Sequence, residues 1–295
     1  MMADHALDAL MPADMAVRAE AVGAKKAVLA FPTMFALAVL AGAFIAVGAM
    51  FATTVAAGAA NQVPYGIIRL LAGVAFSTGL ILVLVGGAEL FTGNTLIVMA
   101  WAGGGVSTAS LMRNWIIVYA GNFVGAVATA VLVFVGGQYA FGDGSVGATA
   151  LAAADAKAGL DFVPAVALGI LCNALVCMAV WLTFSARTTT DRILAIVPPI
   201  AAFVACGFEH SVANMYYGSI ALFVKDWAPP SFWASIGTTP SDYGNLTWER
   251  FLVGNLVPVT IGNIIGGAIL VGAFYWFVYL RGARRSEPHE PTRAA

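Results

Sequence analysis

Glu89 and Glu209 are carboxylic acids set in apolar, membrane-type sequence, and each sits in the same pattern. Gly87-Ala88-Glu89-Leu90-Phe91-Thr92-Gly93-Asn94 and Gly207-Phe208-Glu209-His210-Ser211-Val212-Ala213-Asn214 both fit G-x-E-x-x-x-x-N, with the glutamates 120 positions apart (209 − 89). Ionisable groups are costly at membrane depth, so by default they mark a functional site. The second copy adds His210, which can exchange a proton near neutral pH or donate a hydrogen bond when neutral. Beside it a small weak acid could take up a proton and cross an apolar constriction as a neutral molecule. The plainer reading is a histidine satisfied between helices. The Thr92 hydroxyl can donate to a carboxylate or cap a half-helix, and both readings stay open. An ionised Glu89 or Glu209 would repel an anion, so their expected role is to bond exposed backbone N–H groups and hold a loop in shape. Asn94, Asn122, Asn173, Asn214 and Asn263 are expected to bond across helices in the same way, with Asn173 or Asn263 instead able to hold the imidazole. Lys157, in Asp155-Ala156-Lys157, reads on its own as a solvated charge.

The elements that must position these groups follow from composition. Hydrophobic residues make up 61% of the 295-residue chain and charged residues only 10%, far from the usual soluble mix. Charge-free runs exceed the roughly 20 apolar residues that cross a bilayer. They predict six spans, near 28–54, 66–100, 112–136, 162–185, 192–224 and 249–280. Gly121-Asn122-Phe123-Val124-Gly125 in span 3 and Gly262-Asn263-Ile264-Ile265-Gly266 in span 6 share G-N-x-x-G, 141 positions apart (263 − 122). Spans 1–3 therefore match spans 4–6 in order. Three spans per half is an odd number, so the second half enters from the opposite side. The expected fold is an all-α membrane protein with an inverted 3+3 repeat and a site near the mid-membrane repeat interface. Span 2 is longer than one straight helix needs at about 1.5 Å per residue across a core of about 30 Å, and contains Gly86-Gly87 and Thr92-Gly93-Asn94. Span 5 contains Pro198-Pro199 and Gly207. Both are expected to be broken helices whose breaks face each other across a pore, with half-helix N-termini favouring an anion.

Ten of the fourteen lysines and arginines (Arg18, Lys25, Lys26, Arg113, Arg187, Arg192, Arg281, Arg284, Arg285, Arg293) fall on the side of both termini. By the positive-inside rule both termini are cytoplasmic. Asp4, Asp8 and Asp14 precede any apolar run, unlike a cleavable signal. Residues 1–27 form a cytoplasmic N-terminal segment, with an amphipathic helix whose apolar face is Leu10, Met11, Met15, Val17 and Ala21. Residues 28–280 are the channel domain, with halves near 28–136 and 162–280, and residues 281–295 a disordered cytoplasmic tail. Cys172, Cys177 and Cys206 lie in apolar spans and read as small buried hydrophobes. The net charge of −1 says nothing about a partner, and no nucleic-acid partner, cofactor or metal-ligand set is read. A haem-binding redox protein is opposed by the histidine count, since His5 and His289 lie outside the spans and leave only His210. A receptor or scaffold leaves the paired breaks unexplained.

The stretches GGAELFTGN, LGILCNALVCMAVW, ACGFEHSVANMY and NLVPVTIGNIIGGAILVG carry a resemblance to the formate/nitrite transporter family. It runs from Met11-Pro12-Ala13 to Tyr279-Leu280-Arg281. Within the family the chain is most similar to bacterial formate channels, also in Ala154-Asp155-Ala156-Lys157 and Phe232-Trp233. The resemblance implies an aquaporin-like protomer without an aquaporin signature, in a homopentamer of the bacterial inner membrane with one pore per protomer. It implies a central site of Thr92 and His210, with Asn173 and Asn263 supporting the histidine. Phe76, Leu80, Leu90 and Phe203 match the apolar constrictions on either side, and Lys157 matches a lysine at an electropositive approach to the pore. The implied function is passage of formate and similar small monovalent anions, passive or proton-coupled. A nitrite or hydrosulfide channel of the same fold is the alternative. One departure is Thr92-Gly93-Asn94, where some formate channels carry a serine-threonine pair after the threonine.

Overall fold

The computed structural model describes residues 9–59 and 62–282. The expected disordered tail falls, from residue 283 on, outside the described residues, as do Asp4, His5, Asp8 and His289. Among the described residues all regular structure is helical.

Helix α1 (Pro12–Ala27) precedes α2 (Phe31–Ala56), α3 (Tyr65–Gly86) and a short α4 (Phe91–Ala102). Next come α5 (Thr108–Val135), α6 (Ser145–Ala158), α7 (Phe162–Ser185) and α8 (Thr189–Ala205). The series closes with α9 (Ser211–Trp227), α10 (Pro230–Ile236) and α11 (Arg250–Leu280), which mixes α and π turns. Five helices, α2, α3, α5, α7 and α11, are long and apolar enough to cross a membrane, so this is a multi-pass membrane protein.

The helix ends have local causes. Ser107 caps α5 by accepting from the Ser110 N–H at 3.1 Å, and Thr188 and Asp191 form a capping box on α8. Helix α3 stops where Gly87 takes φ 82°, and α8 stops just before Gly207 at φ 74°. Both angles lie in the left-handed region that glycine adopts without strain. Side chains would block the close packing of α2 on α5. A Cβ at Gly125 would run into the Val39 carbonyl, and one at Gly42 into the Asn122 backbone. Gly262 and Gly266 press α11 onto α7 in the same manner, as small-residue faces do in membrane helices.

Three sequence expectations are corrected. The buried face of α1 is Met15, Ala16, Ala19, Gly23 and Ala27, whereas Met11 and Val17 are 68% and 58% exposed. Small residues at spacings of four let α1 lie close on α4, with an added Gly23 Cβ 3.3 Å from the Ile97 Cα; bulk rather than hydropathy chose the face. Helix α8 runs unbroken through Pro198 and Pro199, and the chain leaves the helix only at Cys206. Cys206, the residue that ends α8, is exposed, unlike Cys172 and Cys177.

Candidate functional site

The segments joining α3 to α4 and α8 to α9 are irregular, run from an exposed first residue to a buried end, and are built alike. Ala88 N–H donates to the Val83 carbonyl at 2.9 Å, and Phe208 N–H to the Phe203 carbonyl at 3.0 Å. The Glu89 N–H reaches the Leu37 carbonyl on α2 at 3.2 Å, and the Glu209 N–H the Leu168 carbonyl on α7 at 3.3 Å. Each segment is then pinned by one asparagine. Asn122 accepts the Phe91 N–H at 2.9 Å while donating to the carbonyls of Glu89 at 2.9 Å and Ala38 at 2.8 Å. Asn263 accepts the Ser211 N–H at 2.9 Å and donates to the carbonyls of Glu209 and Gly169, each at 2.9 Å. One amide thus satisfies three buried backbone groups that membrane depth would leave without partners.

The carboxylates are braced the same way. Asn94 Nδ2 donates to Glu89 Oε2 at 2.7 Å, and Asn214 Nδ2 to Glu209 Oε2 at 2.6 Å. Lys26 Nζ lies 3.0 Å from Glu89 Oε1, and Lys157 Nζ 2.7 Å from Glu209 Oε1. Each lysine backbone carbonyl accepts from a further asparagine, Asn114 at 3.1 Å and Asn255 at 2.9 Å. The negative charge that would oppose an anion is therefore matched, ion for ion. Lys157 is part of this brace rather than a free solvated charge. Lys26, Asn114 and Asn255 were not singled out from the sequence, although Asn114 and Asn255 lie 141 positions apart (255 − 114), the spacing of Asn122 and Asn263.

The two copies diverge at the next residues. His210 is the N-cap of α9 and accepts the Ala213 N–H at Nδ1, 3.0 Å away. Its Nε2 lies 2.9 Å from Thr92 Oγ1 on the first turn of α4. His210 is 2% exposed and Thr92 fully buried. A backbone N–H can only donate, so Nδ1 is the acceptor nitrogen and the neutral ring carries its proton on Nε2. That N–H points at Thr92 Oγ1 and leaves the threonine hydroxyl hydrogen for another acceptor. Asn173 and Asn263 hold the surroundings rather than the ring: Asn263 bonds the backbone on both sides of His210, and Asn173 Nδ2 reaches the Asn263 carbonyl at 2.6 Å. Ring contacts run from Phe76 to Phe203 (5.4 Å, edge-on) and from Phe203 to His210 (5.9 Å, stacked).

Two cavities lie close by, one reaching His210 and the other bordering Leu90 and Gly93 on either side of Thr92 in the chain. One, of about 350 Å³, is bordered by Phe76, Phe203, His210, Lys157 and Arg69. The other, of about 270 Å³, is bordered by Leu80, Leu90, Lys26, Arg18 and Arg192. The four apolar residues thus divide into Phe76 with Phe203 on one cavity and Leu80 with Leu90 on the other. Arg69 donates to the carbonyls of Val204 and Ala205, meeting the negative end of α8 with a cation.

Comparison with known proteins gives this architecture relatives. A family model described as formate/nitrite transporter matches residues 13–277. The formate channel FocA of Escherichia coli K12 is 44% identical over 281 residues, 95% of this chain and 98% of that protein. A solved structure described as a pentameric formate channel with formate bound superposes with a TM-score of 0.81 at 44% identity, covering 85% of this chain and 98% of its own. A second, described as an FNT family ion channel, has a TM-score of 0.73 at 28% identity, covering 90% and 98%. Matched along nearly its whole length in sequence and in three dimensions, the chain belongs to the formate/nitrite transporter family.

Proposed function

We propose that this protein is a channel for formate and similar small monovalent anions, passive or proton-coupled, and not an enzyme. The single observation that carries the reading is the buried Thr92–His210 pair, 2.9 Å apart, with one cavity reaching His210 and a second bordering Leu90 and Gly93, each lined by cationic side chains. The formate-named relatives add support in kind. We further infer a homopentamer of aquaporin-like protomers in the bacterial inner membrane, with both termini cytoplasmic. The cytoplasmic segment 1–27, the channel domain 28–280 with halves 28–136 and 162–280, and the tail 281–295 belong to the same proposal.

The repeat belongs to it too: six spans, inverted 3+3, with spans 2 and 5 broken at 87–90 and 206–210. Its support is that equivalent positions meet. Tyr119 and Thr260, 141 positions apart, share a 2.9 Å hydrogen bond, as residues astride a pseudo-two-fold axis do.

In this site an entering carboxylate accepts from the Thr92 hydroxyl, whose oxygen in turn accepts from Nε2–H of His210. The bonds lost on leaving water are replaced at the point where the apolar residues Phe76, Phe203, Leu80 and Leu90 would otherwise make the anion most costly. For His210 to hand over a proton it must first become imidazolium. The second proton would sit on Nδ1 and break the Ala213 bond, a capping interaction worth about 1 kcal/mol. The geometry therefore supports hydrogen-bond donation by a neutral ring over a relay. Formate uptake into proteoliposomes at two pH values tests this, with nitrite, hydrosulfide, acetate and lactate as competitors. On the donor reading His210→Asn keeps a reduced flux with the wild-type pH dependence, and His210→Ala loses most of it. A His210→Asn channel whose pH dependence vanishes would establish the relay instead, and preferred uptake of nitrite or hydrosulfide would reassign the substrate.

A further inference from the structure

We propose that Thr95 and Cys177 are positioning residues that, with Asn173, hold the Thr92 carbonyl and thereby set the Thr92 hydroxyl against His210. The proposal rests on the reading of Thr92 and His210 as the anion site.

Three side chains converge on one backbone oxygen. The Thr92 carbonyl lies 2.6 Å from Thr95 Oγ1, 3.2 Å from Asn173 Nδ2 and 3.4 Å from Cys177 Sγ. They also touch one another: Asn173 Nδ2 is 3.2 Å, and Cys177 Sγ 3.3 Å, from Thr95 Oγ1. All four residues are fully buried. Cys177 is thus more than a small hydrophobe, and its partners are the polar groups behind Thr92.

Among the described residues, nothing comparable stands behind the other break. At the spacing of 120 between the glutamates, and of 131 between Leu37 and Leu168 that accept from them (168 − 37), Thr92 corresponds to Val212, Thr95 to Met215, Asn173 to Gly42 and Cys177 to Ala46. The reason lies in the caps. Helix α9 starts with a histidine that accepts the N–H of Ala213, the third residue of that helix's first turn, so His210 is fixed by the helix it caps. Helix α4 starts with Leu90, which offers no side-chain cap. The first turn of α4 needs an anchor from outside, and the cluster on the Thr92 carbonyl supplies it. The back-bond from Thr95 over three residues coincides with a 3₁₀ stretch, Thr95–Ile97, within α4, as such side-chain bonds reshape helices.

The backbone across from the cluster is adapted as well. A Cβ on Gly267 would collide with Thr95 Oγ1 and Asn173 Nδ2 and stand 2.8 Å from Cys177 Sγ. Gly267 lies in the π-helical stretch Ile265–Ala273 of α11, whereas the matching part of α5 is regular α-helix.

Formate uptake over a concentration series, on channels whose pentamer is verified by size exclusion, tests the assignment. Thr95→Val keeps the shape and deletes the hydroxyl. It is expected to raise the half-saturating formate concentration several-fold at a nearly unchanged maximal rate. Thr95→Ser and Cys177→Ser, which keep donors, are expected to stay within about twofold of wild type, with Cys177→Ala shifted in the same direction as Thr95→Val. Wild-type behaviour of Thr95→Val, or a Thr95→Ser as impaired as Thr95→Val, would overturn the proposal. If Thr95→Val does not assemble, Cys177→Ala and Cys177→Ser carry the same comparison. Unchanged flux in Thr92→Val would instead remove the site reading itself, so the two failures are distinct.

Discussion

The pair Lys26–Glu89 allows an asymmetric prediction, because its two partners are buried to different depths. The ions are 3.0 Å apart, and their side chains are 29% and 7% exposed respectively. Lys26→Met leaves Glu89 buried as an anion with a single side-chain donor, Asn94 Nδ2 at 2.7 Å. Stranding a buried charge costs about 3–5 kcal/mol. Glu89→Gln strands the lysine instead. The ammonium faces the 270 Å³ cavity and keeps its bond to Asn94 Oδ1 at 3.0 Å, so it stays partly hydrated and the loss is on the order of 1–2 kcal/mol. The double variant removes both charges and should return to within about 1–2 kcal/mol of wild type, as replaced ion pairs commonly do. Thermal melting of the four pentamers in detergent should rank Lys26→Met lowest, with the double variant above it. Formate flux provides a second readout: Lys26→Met leaves a net negative charge beside the path and slows the anion, whereas Glu89→Gln leaves a positive one and does not. Equal melting points for the two single variants, or a double variant as unstable as the sum of the singles, would refute the reasoning.

Two further outcomes follow from the same geometry. Asn263→Leu frees the Ser211 N–H and the Glu209 and Gly169 carbonyls, and Asn122→Leu frees their counterparts in the first half. At about 1–3 kcal/mol for a buried group left unpaired, each should lower the pentamer melting point clearly and by similar amounts, and a stable Asn263→Leu channel would contradict the pinning role. Phe203→Ala removes the ring between Phe76 and His210 and should raise acetate and lactate uptake relative to formate, while unchanged competition between these anions would take Phe203 out of the selectivity filter.

The chain itself determines a great deal here, because the constraints involved are local. Hydrocarbon demands long apolar runs, so the helices 31–56, 108–135, 162–185 and 250–280 follow from charge spacing alone. A repeated G-x-E-x-x-x-x-N and G-N-x-x-G are visible because two buried joining segments present the same backbone groups and meet them with the same side chains. Gly87 and Gly207 mark left-handed turns that few other residues tolerate. What only the tertiary structure decides is which groups meet. Lys26 is 63 positions from Glu89 (89 − 26), and no periodicity links a surface-helix lysine to a buried carboxylate. The face that α1 buries is set by the steric demand of α4, not by its own apolar residues. Pro198 and Pro199 stay helical because the surrounding packing outweighs two missing N–H groups. The asymmetry of the centre is likewise a matter of contact. His210 caps its own helix, whereas Thr92 depends on Thr95 of its own helix and on Asn173 and Cys177 from α7, and that meeting of two helices exists only once the chain has folded.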